Sequence, residues 1–122
     1  MHNFKELVIW KKARELAKEI YLLCDEFPKA ELYGISSQMK RAVISIPSNI
    51  AEGAGRTTKV EFCRFLDIAT GSAFELETQL YLAFDFGFIS ESNLQEISSK
   101  LESLQKMIYT FKKTINNSNG AS

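Results

Sequence analysis

Leu94–Ile115 reads LQEISSKLESLQKMIYTFKKTI, with large apolar residues at Leu94, Ile97, Leu101, Leu104, Ile108, Phe111 and Ile115. Steps of three and four alternate through the whole stretch. That is the seam of a helix packed against other helices, and it leaves little room for a strand. Ala13, Leu16 or Ala17, Ile20, Leu23 or Cys24, and Phe27 repeat the pattern, as do Phe62, Leu66, Ala69, Ala73, Leu76, Leu80 and Ala83. A fourth apolar stripe runs through Ile35, Met39, Ala42, Ile46 and Ile50. The pattern therefore predicts four helices, at about residues 4–27, 31–54, 59–86 and 91–115.

The residues between the stripes agree. Pro28 disfavours helical geometry at Phe27 and closes the first helix. Thr58-Lys59-Val60-Glu61 has the form of a capping box, and Ser90 is a candidate N-cap for the last helix. Gly87 stands where a left-handed residue ends a helix. Short loops between long helices favour antiparallel neighbours, so the predicted fold is all-α, an up-down-up-down four-helix bundle. One domain spans residues 1–116, and the polar tail 117–122 is expected to be disordered. Pro47 lies inside the second helix, cannot donate to the Val43 carbonyl, and predicts a kink near Ile46.

Lysine plus arginine equals aspartate plus glutamate at 15 each, so no global charge draws this chain of 122 residues to a polyanion. The charge is uneven, however. Lys40, Arg41, Arg56, Lys59 and Arg64 face only Glu52 and Glu61 between Gln38 and Arg64; Asp67, Glu75, Glu77 and Asp85 follow with no basic residue. Such zones are what solvated faces show, and they also suit head-to-tail subunit contacts. Cys24 and Cys63 have no metal-ligand spacing and read as free buried thiols, which fits a reducing compartment. With no signal-peptide pattern and no apolar run long enough for a bilayer, a cytoplasmic location is expected.

Catalytic constellations are scarce. His2 is the only histidine, at an end expected to fray, and no Glu-x-x-His pair offers a di-metal site. Glu75 and Glu77 are two apart and point to different sides of a helix. Gly53–Lys59 lacks the spacing of a phosphate loop, and a helix-ending turn explains its glycines better. The expectation is a protein that is not an enzyme and has no cofactor or metal.

Three non-catalytic candidates remain. Gln38, Arg41, Ser45, Asn49 and Glu52 form a polar stripe, either a solvated face or a network across helices or subunits in which Arg41 pairs with a carboxylate such as Glu75. Arg56, Lys59 and Arg64 could line a phosphate-binding patch at the start of the third helix, as Lys11, Lys12 and Arg14 could near the start of the first; ordinary solvation is the alternative. Phe62, Phe65, Phe74, Tyr81, Phe84, Phe86 and Phe88 are too many aromatics for one seam. Phe65, Ile68, Tyr81 and Phe84 form a second apolar set on the third helix, suited to a subunit interface.

The chain resembles the four-helix bundle protein family, first described as proteins encoded by intervening sequences in bacterial 23S ribosomal RNA genes. The resemblance rests on Leu7-Val8-Ile9-Trp10, Gln38-Met39-Lys40-Arg41-Ala42, Ser45-Ile46-Pro47-Ser48-Asn49-Ile50-Ala51-Glu52-Gly53, and Ala69-Thr70-Gly71-Ser72-Ala73-Phe74-Glu75-Leu76-Glu77. It implies a left-handed antiparallel bundle assembled into a ring-like homopentamer. The chain is also similar to the accessory variability determinant of diversity-generating retroelements, a pentameric barrel that binds nucleic acid and associates with a reverse transcriptase. Residues and resemblance together lead to the expectation of a non-enzymatic homo-oligomeric scaffold. It would engage RNA, DNA or a nucleic-acid enzyme through its basic zones. The alternative is a purely structural or protein-adaptor module.

Overall fold

The computed structural model describes residues 1–31 and 33–117. Four helices, α1 (Val8–Cys24), α2 (Ile35–Ala54), α3 (Lys59–Asp85) and α4 (Glu91–Asn116), account for most of them, with short 3₁₀ turns at Phe4–Glu6 and Lys29–Glu31. No strand occurs among the described residues. The expectation of a disordered tail falls on residues 118–122, outside the described residues, apart from Asn117, which caps α4.

Among helices in contact, packing is most extensive between α2 and α3 and least between α1 and α4. Cross-helix pairs climb in one helix as they descend in the next. Cys63 meets Asn116, Asp67 meets Lys112, and Glu77 meets Gln105 across α3 and α4. Ile20, Met39, Ile46, Ile50, Leu66, Leu76, Leu80, Leu101 and Ile108 fill the centre. Each is worth about 1.5–3 kcal/mol relative to exposure, which is why the apolar stripes turn inward.

Helix ends follow local chemistry. Thr58 accepts from the Glu61 amide at 3.2 Å and Ser90 from the Asn93 amide at 3.1 Å, opening α3 and α4. Gly87 takes φ +82°, a conformation that side chains rarely adopt, and lets the chain turn after α3. The first helix is shorter than its pattern. Leu7 is extended, so α1 begins at Val8, behind a 3₁₀ turn capped by Asn3. At its other end, Glu26 and Phe27 donate three residues back, so Phe27 reaches the core from a tight turn. Lys29–Glu31 likewise tightens into a 3₁₀ turn, and α2 waits until Ile35.

His2 is not frayed. Its amide donates to the Ala54 carbonyl at 2.8 Å, and its ring packs edge-on against Phe62, 5.0 Å between centroids. This ties the N-terminal segment across the end of α2. Gly53 falls inside the second helix, as the predicted range 31–54 has it. It is buried, because α3 passes close beside it. A Cβ there would lie 2.8 Å from Phe65 Cβ and 2.9 Å from Phe62 Cδ1.

Candidate functional site

The α2–α3 interface contains a polar seam. Ser45 Oγ and Ser72 Oγ are 2.8 Å apart across the two helices. Asn49 Nδ2 donates to the Ser45 carbonyl at 2.8 Å and to Ser45 Oγ at 2.9 Å. One turn separates Ser45 from Asn49, so an amide can reach back over the preceding turn and lock the serine that faces α3. Only the middle of the predicted stripe is drawn in. Gln38, Arg41 and Glu52 are exposed, and so is Glu75. Within the described residues no ion pair joins Arg41 to Glu75; in water an arginine does not need one.

Two further polar groups lie inside. Gln79 Oε1 on α3 and Ser98 Oγ on α4 are buried and lack a hydrogen-bond partner among the described residues. Sequence reasoning passed over Ser72 and Gln79. Their one signal is that they stand seven apart on α3, two turns along a largely apolar side. A buried acceptor without a donor costs about 1–3 kcal/mol. Gln79→Met, close in shape and without the acceptor, is therefore expected to raise stability by about 1 kcal/mol. The measurement is a higher urea midpoint at unchanged slope, and a lower midpoint would mean that Oε1 has a donor.

The predicted basic residues differ in how far they are already engaged. Arg56 approaches Glu52 at 3.3 Å and Glu61 at 4.0 Å, and its guanidinium lies 4.8 Å from the Phe65 ring centre. Its charge is largely answered within the chain. Lys59 is half-buried at the first turn of α3, and Arg64 is exposed. Near the start of α1, Lys12 pairs loosely with Glu15 at 3.8 Å. Lys11 and Arg14 are exposed and form no ion pair with the described residues. Arg14 instead lies over the Trp10 ring at 5.5 Å, and Trp10 rests edge-on against Phe4 at 5.1 Å.

Two hollows meet at this arginine and tryptophan. Lys5, Lys11, Lys18 and Glu15 complete the first; Ala17, Ile44, Pro47, Ser48 and Ala51 complete the second, between α1 and α2. Sequence reasoning named Lys11 and Arg14 but missed Lys18, although Lys11, Arg14 and Lys18 stand at helical spacing on one face.

The second apolar set on α3 divides as well. Ile68 and Tyr81 are exposed, at 44% and 50%. Phe65 is half-buried under Arg56, and Phe84 is half-buried against the core. Val60, Phe74, Leu82 and Phe86 join the outward face.

Neither thiol is primed for nucleophilic chemistry. Burial pushes the Cys24 thiol up, only partly offset by a hydrogen bond with the Ser36 side chain and by Lys40. Burial raises Cys63 too, against the opposing pull of Lys112. A raised pKa leaves the thiol protonated at neutral pH, and the thiolate is the reactive form. Among the described residues no cluster of three metal-ligating side chains occurs, and no helix is long and apolar enough to cross a membrane.

The family model for 23S rRNA-intervening sequence proteins matches residues 5–110. The chain belongs to that family. It is similar to the crystal structure of a protein of unknown function from the S23 ribosomal protein family of Bacteroides thetaiotaomicron. The TM-score is 0.82 at 26% identity, covering 88% of this chain and 96% of that one. Among curated proteins, none matches significantly. In this member of the family, the Ser45–Gly53 segment is the part of α2 that meets α3 at the serine pair and at Gly53.

Proposed function

We propose that this protein is a non-enzymatic homo-oligomeric scaffold that holds RNA or DNA, or an enzyme working on them, against its basic surface. The observation that carries the reading is the row of Lys11, Arg14 and Lys18 on α1, exposed and without a carboxylate ion pair among the described residues. Other cations, Lys40, Arg41, Arg64 and Lys106 among them, lack one too, while Lys100 pairs with Glu19 and Lys112 with Asp67 at 2.6 Å; the α1 row stands out because its three cations share one helix face beside a hollow. A row of unanswered cations on one helix face is the electrostatic footprint of a polyanion partner. The homopentamer implied by the family resemblance would repeat that row around a ring. Buried free thiols suit a cytoplasmic setting.

Binding to a structured RNA should weaken steeply as salt rises, because each phosphate contact releases counterions. Reversing Lys11, Arg14 and Lys18 to glutamate should weaken binding across sequences and flatten the salt slope by about one for each phosphate no longer engaged. Titration by fluorescence anisotropy at several salt concentrations measures both. No binding, or binding indifferent to salt, would sink the reading. In that event the exposed apolar face of α3 favours the adaptor alternative, since such faces mark protein contacts.

A further inference from the structure

The α1–α2 boundary offers more than charge. Trp10, Arg14, Ala17 and Tyr21 fall at i, i+4, i+7 and i+11, so they line one stripe of α1. Each aromatic in it carries a cation: Arg14 lies over Trp10 at 5.5 Å, and Lys40 of α2 lies over Tyr21 at 5.0 Å. Trp10 and Tyr21 are eleven residues apart, about 16 Å along the helix. The apolar groove opens beside Trp10 and reaches Ala17, and Ile44 in it is 45% exposed. Lys11 and Lys18 flank the stripe on the side of the basic hollow.

We propose that this boundary binds single-stranded nucleic acid, with phosphates along Lys11, Arg14 and Lys18 and bases against Trp10 and the α1–α2 groove. The proposal rests on the nucleic-acid reading above and narrows it to one class of ligand. A duplex turns its phosphates outward and keeps base faces stacked inside, so it would use the basic hollow and leave the groove in water. A single strand presents both phosphates and base faces. Aromatic platforms beside a positive rail are the usual means of holding it without regard to sequence. Arg14 serves both sides, since its planar guanidinium can stack on a base and still reach a phosphate.

Trp10 is the only tryptophan in the chain, so its fluorescence reports this site in the unmodified protein. The probes are a single-stranded oligothymidine and a duplex of equal length, each labelled for anisotropy. The expected result is preference for the single strand with quenching of Trp10. Trp10→Leu should weaken single-strand binding by about tenfold or more while changing duplex binding little. Ile44→Glu places a negative charge in the groove at an exposed position, and should do the same if Trp10→Leu fails to fold. Equal binding of both probes without quenching would overturn the single-strand assignment and leave the broader reading standing. Failure of both probes to bind would remove both. A change in assembly size on Ile44→Glu would mark the groove as a subunit interface and also overturn the proposal.

Discussion

Replacing Gly53 by valine is expected to destabilise the fold by about 3 kcal/mol or more, the upper range for forcing carbon into a packed interior. The space beside Gly53 is already taken. Even the first carbon of a side chain would meet Phe65 Cβ at 2.8 Å, Phe62 Cδ1 at 2.9 Å and the Phe62 carbonyl at 3.2 Å. Phe65 Cβ sits next to the α3 backbone, so rotation of a ring cannot clear it. α3 would have to move away from α2, opening the most extensive helix–helix interface of the bundle. Alanine should cost less, because its better helix propensity returns up to about 1 kcal/mol. Gly55 supplies the control. A Cβ there meets nothing nearer than the Glu52 carbonyl at 3.6 Å, and φ is −82°, so Gly55→Ala should leave stability within about 0.5 kcal/mol. Chemical denaturation of the three variants tests the ordering. Equal stability of Gly53→Val and the parent chain would show that α3 does not pass so close.

That contrast also shows what a sequence conveys. Gly53 and Gly55 look alike in a Gly-Ala-Gly run, and both read naturally as the end of a helix. Only the position of α3 separates them, and that is set by packing between residues distant in the chain. Local signals fared better. Thr58 and Ser90 cap their helices because the geometry of an N-cap needs only the next three residues. Gly87 could be read because a left-handed turn is a property of one residue. Apolar periodicity placed Leu94 through Ile115 on one helix because burial repeats with the turn of that helix.

The candidate site was legible to the same degree. Spacing put Gln38, Arg41, Ser45, Asn49 and Glu52 on one face, but not how far α3 would cover it. Ser45 and Asn49, midway along α2, are drawn into the seam, while the ends of the stripe stay in water. The partner, Ser72, stands close to Thr70 in a helix with many polar residues, and its only signal is the seven-residue spacing to Gln79. Lys11 and Arg14 stood out as neighbours in sequence. Lys18, two turns on, becomes part of the same surface only when the helix is wound.

Breaking the outward face of α3 should have the other large effect: if the chain forms the homo-oligomer proposed above, Phe74→Glu together with Leu82→Glu is expected to reduce it to single chains of 13.8 kDa that keep their helical content. α3 is apolar on two sides. One side fills the core, and the other leaves Val60, Ile68, Phe74, Tyr81, Leu82 and Phe86 exposed. Val60, Phe74 and Tyr81 share one heptad stripe with Asp67, and Ile68 and Leu82 share the next with Glu75, so two adjacent stripes run along the helix, mostly apolar and each interrupted by one acid. Each large side chain covered there gains about 1.5–3 kcal/mol, and a partner surface collects several at once. Gly71 lies between the stripes with no atom within 4 Å of where its Cβ would be. In an isolated helix that glycine is only a loss, of about 0.5–1 kcal/mol against alanine. It makes sense where a neighbouring backbone comes close. Acids lie on the same face: Asp67 is already paired with Lys112, whereas Glu75 and Asp85 form no ion pair among the described residues and can meet a basic zone on the next copy, which favours a head-to-tail ring. Light scattering coupled to size exclusion reads the mass of parent and variant. A parent chain that elutes as a monomer at micromolar concentration would defeat the idea outright. Gly71→Ala gives an independent answer: it should weaken a close-packed assembly, whereas in a monomer it should simply raise the melting temperature.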